Sequence, residues 1–152
     1  MGSPQIKIKI EVDKKPPPGF KTEEKLLLRP FSLYVKCFSL PDLFSGKIYA
    51  LQFRNWIHRV KGRDWYDMEW YIQKKVPLHL SHFLLRANNS GDWQDETIST
   101  IQLKNLLYQK IEAVDFNQIR ADIERFINDP EKIVIWSPQY FKDLPEYLII
   151  QE

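Results

Sequence analysis

Residues 40–72, LPDLFSGKIYALQFRNWIHRVKGRDWYDMEWYI, predict two helices joined by a short basic turn. Asp42 is placed to cap the first helix, because a short polar side chain there accepts a bond from an unpaired backbone N–H. Helical order is expected to persist to about Arg59. Gly62 is the predicted break, since glycine readily adopts the positive φ of a helix C-cap. The residues after it open the second helix.

Helical spacing brings charged side chains of this stretch together. Lys47 and Arg54 are seven residues apart and project from one side of the first helix, while Asp64 and Asp67 are three apart on the second. Cations that face carboxylates form a plausible site for phosphate and metal. A purely structural interpretation is also open, with Asp64 as an N-cap and Asp67 as an acid favoured by the helix dipole. Spacing alone does not decide between them.

The flanking sequence predicts an α+β fold, with a small N-terminal β-sheet, packed helices and a mostly helical C-terminal part. Residues 5–13 alternate isoleucine or valine with charged residues, as a half-buried strand does. Further strands are predicted at 24–28 and 31–38, and 133–136 is a short strand or a buried link. The remaining predicted helices cover residues 78–87, 99–114, 116–127 and 138–144. We divide the chain into residues 5–76 and 77–152.

Composition sets wider limits on the function. The chain has 152 residues, enough for about one domain, and a formal net charge of +2, which does not suggest a general polyanion binder. No apolar run has the length of a membrane span, and no signal peptide precedes the first predicted strand. The lone Cys37 cannot form an internal disulfide and is expected to be a buried strand thiol. These features predict a cytoplasmic protein with no membrane partner.

The motif Lys47-x-x-Ala50-x-x-x-Arg54, followed by Arg63-Asp64-x-x-Asp67, resembles a signature of the AbiEii/AbiGii-type nucleotidyltransferase toxins of abortive infection and toxin–antitoxin systems. That family is similar in fold to the DNA polymerase β nucleotidyltransferase superfamily. The resemblance extends from about residue 6 to residue 83. It implies that Lys47, with Arg54 and Arg63, contacts nucleotide phosphate, and that Asp64 or Asp67 orients the nucleotide or assists the acceptor.

The same resemblance implies Mg²⁺ as cofactor and places Glu11, between Ile10 and Val12, where the family has its third carboxylate. Asp13 on the same face is a second partial metal ligand. The family begins with a Gly-Ser turn and an acid–x–acid strand, and here the only Gly-Ser is at residues 2–3, with no such strand at the right distance. We therefore expect a truncated transferase that keeps the phosphate-side motif and is inactive alone.

The partners implied are a nucleoside triphosphate, an RNA acceptor, and an antitoxin or a complementary N-terminal fragment. The alternative is a non-catalytic RNA- or partner-binding module on the same fold. Its surface would be the basic turn, where Arg59 and Lys61 lie near Trp56, because cations with stacking aromatics suit single-stranded RNA. A metal site at His79 and His82 is the least favoured interpretation, since no further histidine or cysteine lies near them in sequence.

Overall fold

The computed structural model describes residues 9–12, 14, 16, 18–54 and 60–152. Within those residues helices form the body of the molecule and two short two-stranded sheets complete it, so the α+β prediction is confirmed. No described helix combines the length and the apolar character that crossing a membrane requires. The helices are α1 (Leu40–Phe53), α2 (Gly62–Gln73), α3 (Leu80–Ser90), α4 (Thr100–Ala113), α5 (Phe116–Ile123) and α6 (Pro138–Asp143).

The N-terminal sheet is an antiparallel hairpin of β1 (Thr22–Leu27) and β2 (Leu33–Phe38), close to the predicted strands. Every residue of β1 is exposed, so the hairpin lies beside the core rather than in it. It is joined to α1 by the backbone N–H of Ser39, which donates to the carbonyl of Lys21 at 2.9 Å. The hairpin therefore adjoins the start of α1.

The predicted strand over residues 5–13 is wrong for the residues that the structure describes there. Residues 9–12 form no strand, and Ile10 and Val12 are 84% and 79% exposed. The alternating pattern predicts a strand only where a partner strand and an apolar surface receive it. Among the residues described, nothing supplies either to this segment, and residues 5–8 and 13 lie outside the described part of the chain.

Helix α1 begins at a different cap and ends earlier than predicted. Ser39, not Asp42, is the N-cap, and its hydroxyl accepts the backbone N–H of Asp42 at 3.4 Å. The helix ends at Phe53, because Arg54 has extended backbone angles of φ −71° and ψ 107°. Residues 55–59, where we predicted continued helix, lie outside the described part.

Gly62 has a different role from the predicted positive-φ break. It is the first residue of α2, and the described glycines with positive φ are Gly19 and Gly91. A Cβ built on Gly62 would lie 2.5 Å from the carbonyl oxygen of Ile119 and 2.8 Å from the Cβ of Ile123. Glycine is needed here because α2 packs directly on the backbone of α5.

The core is continuous from α1 to the end of α6. Phe44 of α1 stacks on Tyr71 of α2 with ring centroids 4.8 Å apart, and Trp65 meets Phe116 and Phe141 edge-on. The second sheet is formed by β3 (Leu78–His79) and β4 (Ile150–Gln151), which pair in parallel. This packing fixes α1, α2 and α3 relative to one another.

The C-terminal half follows the predicted helices with two differences. α5 ends at Ile123 and continues as a 3₁₀ turn over Glu124–Phe126, where Phe126 is exposed rather than in the core. Residues 133–136 are not a strand, since a second 3₁₀ turn spans Pro130–Ile133. Ile133 and Trp136 are buried, but Val134 and Ile135 are 70% and 57% exposed, so the buried link that the sequence left as an alternative is correct for only half of this segment.

Candidate functional site

One cavity gathers most of the motif residues. It has a volume of about 330 Å³ and lies between α1, the start of α2, α3 and the hairpin. Its charged or polar lining comes from three helices, and its apolar wall from the hairpin side and α1. The lining residues are Lys47, Arg54, Arg63, Asp64, Asp42, His82, Arg86, Pro16, Phe20, Phe38, Leu43, Gly46 and Ala50.

The two helices of the motif meet through an ion pair. Lys47 Nζ lies 2.6 Å from Asp67 Oδ2, with the two side chains 42% and 27% exposed. Lys47 and Asp64 line the same cavity. The Lys47 amine therefore contacts Asp67 directly and shares the cavity with Asp64. Asp67 is engaged by Lys47, which leaves Asp64 as the motif carboxylate that faces the cavity.

Burial raises the pKa of Asp64, and the neighbouring Asp67 adds to that effect, while Lys47, Arg63 and Lys61 oppose it. A carboxylate near a bound anion is repelled by it, so protonation of Asp64 should favour anion binding. The group can thus accept or release a proton at a higher pH than an ordinary aspartate. Asp64 is the third residue of α2 and is therefore not its N-cap. The N-cap is Lys61, whose side chain makes no capping hydrogen bond.

We expect Asp64→Asn to tighten tripolyphosphate binding about 10-fold at pH 7, about 1.4 kcal/mol, by removing a negative charge. The difference from wild type should shrink as the pH falls through the raised pKa of Asp64, because the wild-type carboxyl then becomes neutral. Titration calorimetry between pH 4.5 and 8 measures both. Asp95→Asn, at an exposed position away from the cavity lining, is the control. Equal affinities for wild type and Asp64→Asn at pH 7 would contradict this assignment.

A buried polar network forms the floor beside the cavity. Asp42 is 2% exposed, and its Oδ1 lies 2.5 Å from His79 Nδ1. Its Oδ2 accepts the backbone N–H of Lys21 at 2.5 Å and the hydroxyl of Ser39 at 2.8 Å. The sequence predicted Asp42 as the N-cap of the first helix. In the structure its carboxylate instead joins the hairpin, α1 and β3 through hydrogen bonds. Its hydrogen bonds are thereby satisfied within the protein.

Among the described residues, His79 at the N-cap of α3 and His82 within α3 belong to no group of three or more possible metal ligands. His79 is held by Asp42 and by the Ser81 hydroxyl, 3.0 Å from its Nε2. His82 is 5% exposed, lines the cavity, and has an Nδ1 with no hydrogen-bond partner. Burial lowers the pKa of His82, with Arg86 and His79 adding to the effect and Asp42 opposing it. Burial of the ring therefore favours its neutral form.

The carboxylates present in the described part do not fit a two-metal centre. No group of three or more histidine, cysteine, aspartate or glutamate side chains is placed to hold a metal ion there. Glu11 pairs with Lys9, its side chain is 73% exposed, and it does not line the cavity. Asp13, the other predicted partial ligand, lies outside the described residues.

The predicted RNA-contact turn is described only in part. Arg59 and Trp56 lie outside the described residues. Lys61 is half-buried and lines a second, smaller cavity of about 170 Å³ with Arg63, Asp122 and Phe126. The RNA-binding role of this turn therefore stays a prediction.

Arg86 is the site residue that sequence reasoning missed. It lies on α3, outside the motif, and reaches the cavity across α1. The available signal was its spacing from His82, because residues four apart on a helix share a face. That signal alone does not distinguish a ligand-facing arginine from a solvated one.

A comparison with known protein families gives a match over most of the chain. Residues 1–146 match the sequence model of the family described as nucleotidyl transferase AbiEii toxin, type IV toxin–antitoxin system. The chain belongs to this family. The match extends well beyond residue 83, where we had placed the end of the resemblance.

No curated protein and no solved structure matches the chain.

Proposed function

We propose that the cavity binds the phosphate chain of a nucleoside triphosphate and that the chain contributes this binding to nucleotide transfer onto an RNA acceptor. The observation that carries the proposal is the meeting of Lys47, Arg54, Arg63 and Asp64 in one cavity. Four arginine or lysine residues line it, counting Arg86, against two aspartates. Lys47 is paired with Asp67 and Asp42 is hydrogen-bonded within the protein, which leaves three arginines against Asp64. Such an excess of cations favours an anion.

The reaction class is nucleotidyl transfer. A hydroxyl oxygen of the acceptor forms a bond to the α-phosphorus, the bond to the bridging oxygen breaks, and pyrophosphate leaves. Lys47, Arg54 and Arg63 would balance the charge on the phosphate chain. Asp64 would take the hydroxyl proton, because burial raises its pKa and Asp67 is held by Lys47.

Magnesium is the metal that the family's chemistry generally uses to draw the phosphate oxygens together. Glu11 and Asp13 remain proposed partial ligands, and Glu11 lies away from the cavity lining. We infer that the metal-binding carboxylates come from a complementary segment, and that this chain transfers nucleotide only together with it. A cognate antitoxin is the further partner that the toxin–antitoxin family implies.

The test is binding of a labelled nucleoside triphosphate to the full chain. Lys47→Ala should weaken it by about 10- to 100-fold, because a charge-assisted hydrogen bond is lost and Asp67 is left unpaired. Lys104→Ala, which removes a half-buried lysine that is paired with Glu146 and does not line the cavity, is the matched control and should leave affinity unchanged. Nucleotide binding that is absent, or that does not depend on Lys47, would overturn the proposal.

The experiments must also distinguish nucleotide transfer from RNA binding that is not accompanied by any reaction. If the chain binds single-stranded RNA with steep salt dependence and Arg59→Glu abolishes it, while Lys47→Ala has no effect on any ligand, the binding-module alternative is correct. Transfer of label to RNA should be undetectable with this chain alone and should emerge when a segment bearing the acid–x–acid pair is added.

A further inference from the structure

Arg86 is positioned over α1 by the absence of a side chain at Gly46. A Cβ built on Gly46 would overlap Nη1 of Arg86 and lie 3.5 Å from its Cζ. No other described heavy atom outside the local helix backbone lies within 4 Å of that Cβ. The guanidinium carbon is also 5.9 Å from the centre of the Tyr49 ring. The glycine therefore makes room for one group, the guanidinium of Arg86.

The charge of Arg86 is not neutralised in the described part of the chain. Lys47, beside Gly46 in the same cavity, is paired with Asp67. Arg86 is half-buried and forms no ion pair with a described carboxylate, whereas the motif arginines Arg54 and Arg63 are exposed. A partly buried cation without a counterion costs free energy, which a bound anion would recover.

We propose that Arg86 is a phosphate-binding residue of the cavity and that Gly46 is the positioning residue that seats its guanidinium. The proposal rests on the proposed function and adds to the motif a group from a third helix. The ligand chemistry is a polyphosphate, either the phosphate chain of a nucleoside triphosphate or a free polyphosphate such as pyrophosphate. A guanidinium suits it because its planar set of N–H donors can contact two phosphate oxygens at once.

The position of Arg86 favours phosphate over a nucleobase. It shares the cavity with three other cations, and a bidentate contact to an anion is stronger than one to a neutral base edge. A nucleobase would instead contact the apolar wall of the cavity, which includes Phe20 and Phe38. Arg86 should consequently affect all ligands that carry the phosphate chain alike.

The experiment compares Gly46→Ala, Arg86→Gln and the double variant in the full chain. Tripolyphosphate, a nucleoside triphosphate and the corresponding nucleoside are the probes, with affinity measured by titration calorimetry. Arg86→Gln should weaken the first two about 10- to 100-fold. Gly46→Ala should weaken them about 3- to 10-fold by displacing the guanidinium, and should have no further effect when Arg86 is already glutamine. Arg125→Gln, at an exposed arginine that lies over Phe126, is the control.

The melting temperature of Gly46→Ala shows whether weaker binding comes from a displaced guanidinium or from a loss of folded protein. Alanine is a better helix former than glycine, so Gly46→Ala should melt at the same temperature as the wild type or higher while binding more weakly. The inference is overturned if Gly46→Ala weakens binding equally with and without Arg86, or if Arg86→Gln leaves tripolyphosphate affinity unchanged. Loss of nucleoside affinity equal to that of the triphosphate would also overturn it, in favour of base recognition.

The same measurements distinguish this inference from the proposed function. If Lys47→Ala weakens tripolyphosphate binding and Arg86→Gln does not, only the role of Arg86 is wrong. If the wild type binds neither tripolyphosphate nor the nucleoside triphosphate, both proposals are wrong. Tripolyphosphate binding as tight as that of the nucleoside triphosphate would identify free polyphosphate as a sufficient ligand.

Discussion

Asp42→Ala is expected to lower the free energy of unfolding by about 3–5 kcal/mol, because it leaves several buried donors without their acceptor. The carboxylate holds His79 at 2.5 Å, the Lys21 backbone N–H at 2.5 Å and the Ser39 hydroxyl at 2.8 Å. Urea denaturation followed by circular dichroism measures the loss. Asp95→Ala, at an exposed aspartate, should change stability by less than about 0.5 kcal/mol. Similar small losses for both variants would show that the network contributes little.

The contribution of Asp42 should depend on pH in a defined direction. Burial by itself would raise the pKa of Asp42, but hydrogen bonds from His79, the Lys21 backbone and Ser39 hold it below its ordinary value. A depressed carboxyl pKa stabilises the folded state above the unfolded value of about 3.9. That stability is lost as pH falls through the lower folded value. The difference between wild type and Asp42→Asn should shrink below about pH 4, and an unchanged difference down to pH 3 would contradict this.

Trp65→Ala should cost about 3–5 kcal/mol, since it removes a large aromatic side chain from a packed core. Trp65 is 3% exposed and meets Phe116 and Phe141 edge-on, with ring centroids 5.2 and 5.1 Å away. It is the neighbour of Asp64 in α2, so this packing also fixes the cavity side of the helix. The measurement is the midpoint and slope of urea unfolding.

Trp70 provides a matched control on the same helix. It is 38% exposed and packs edge-on to the adjacent Tyr71, so Trp70→Ala should cost clearly less than Trp65→Ala. Equal losses for the two tryptophans would mean that burial in the core is not the source of the Trp65 contribution.

The charged pattern of the central stretch was readable because helix geometry relates spacing to direction. Lys47 of α1 meets Asp67 of α2, and Lys47 and Arg54 line the same cavity, although Arg54 lies just past the end of α1. The residues that cap or end the helices were predicted less well from the sequence. Ser39 and Asp42 are both good cap formers, and only the position of the hairpin and His79 shows that Asp42 is drawn into a buried network.

Two further errors arose from information that lies elsewhere in the chain. Gly62 was predicted as a C-cap, but its small size is required by the backbone of Ile119 in α5, far along the chain. The alternating residues 9–12 predicted a strand, although a strand needs a partner that a local pattern cannot supply. Whether the chain divides at residue 76, as we predicted, remains a prediction.

The sequence alone determined the α+β class, most of the helices and the charged groups that α1 and α2 carry, because each follows from periodicity and local capping. The family resemblance rested on the same residues. Tertiary structure decided which groups lie together and which are buried. It places the guanidinium of Arg86 against Gly46, buries Asp42 and leaves Glu11 exposed. These depend on distances between elements far apart in the chain, and such distances are set by core packing rather than by any local pattern.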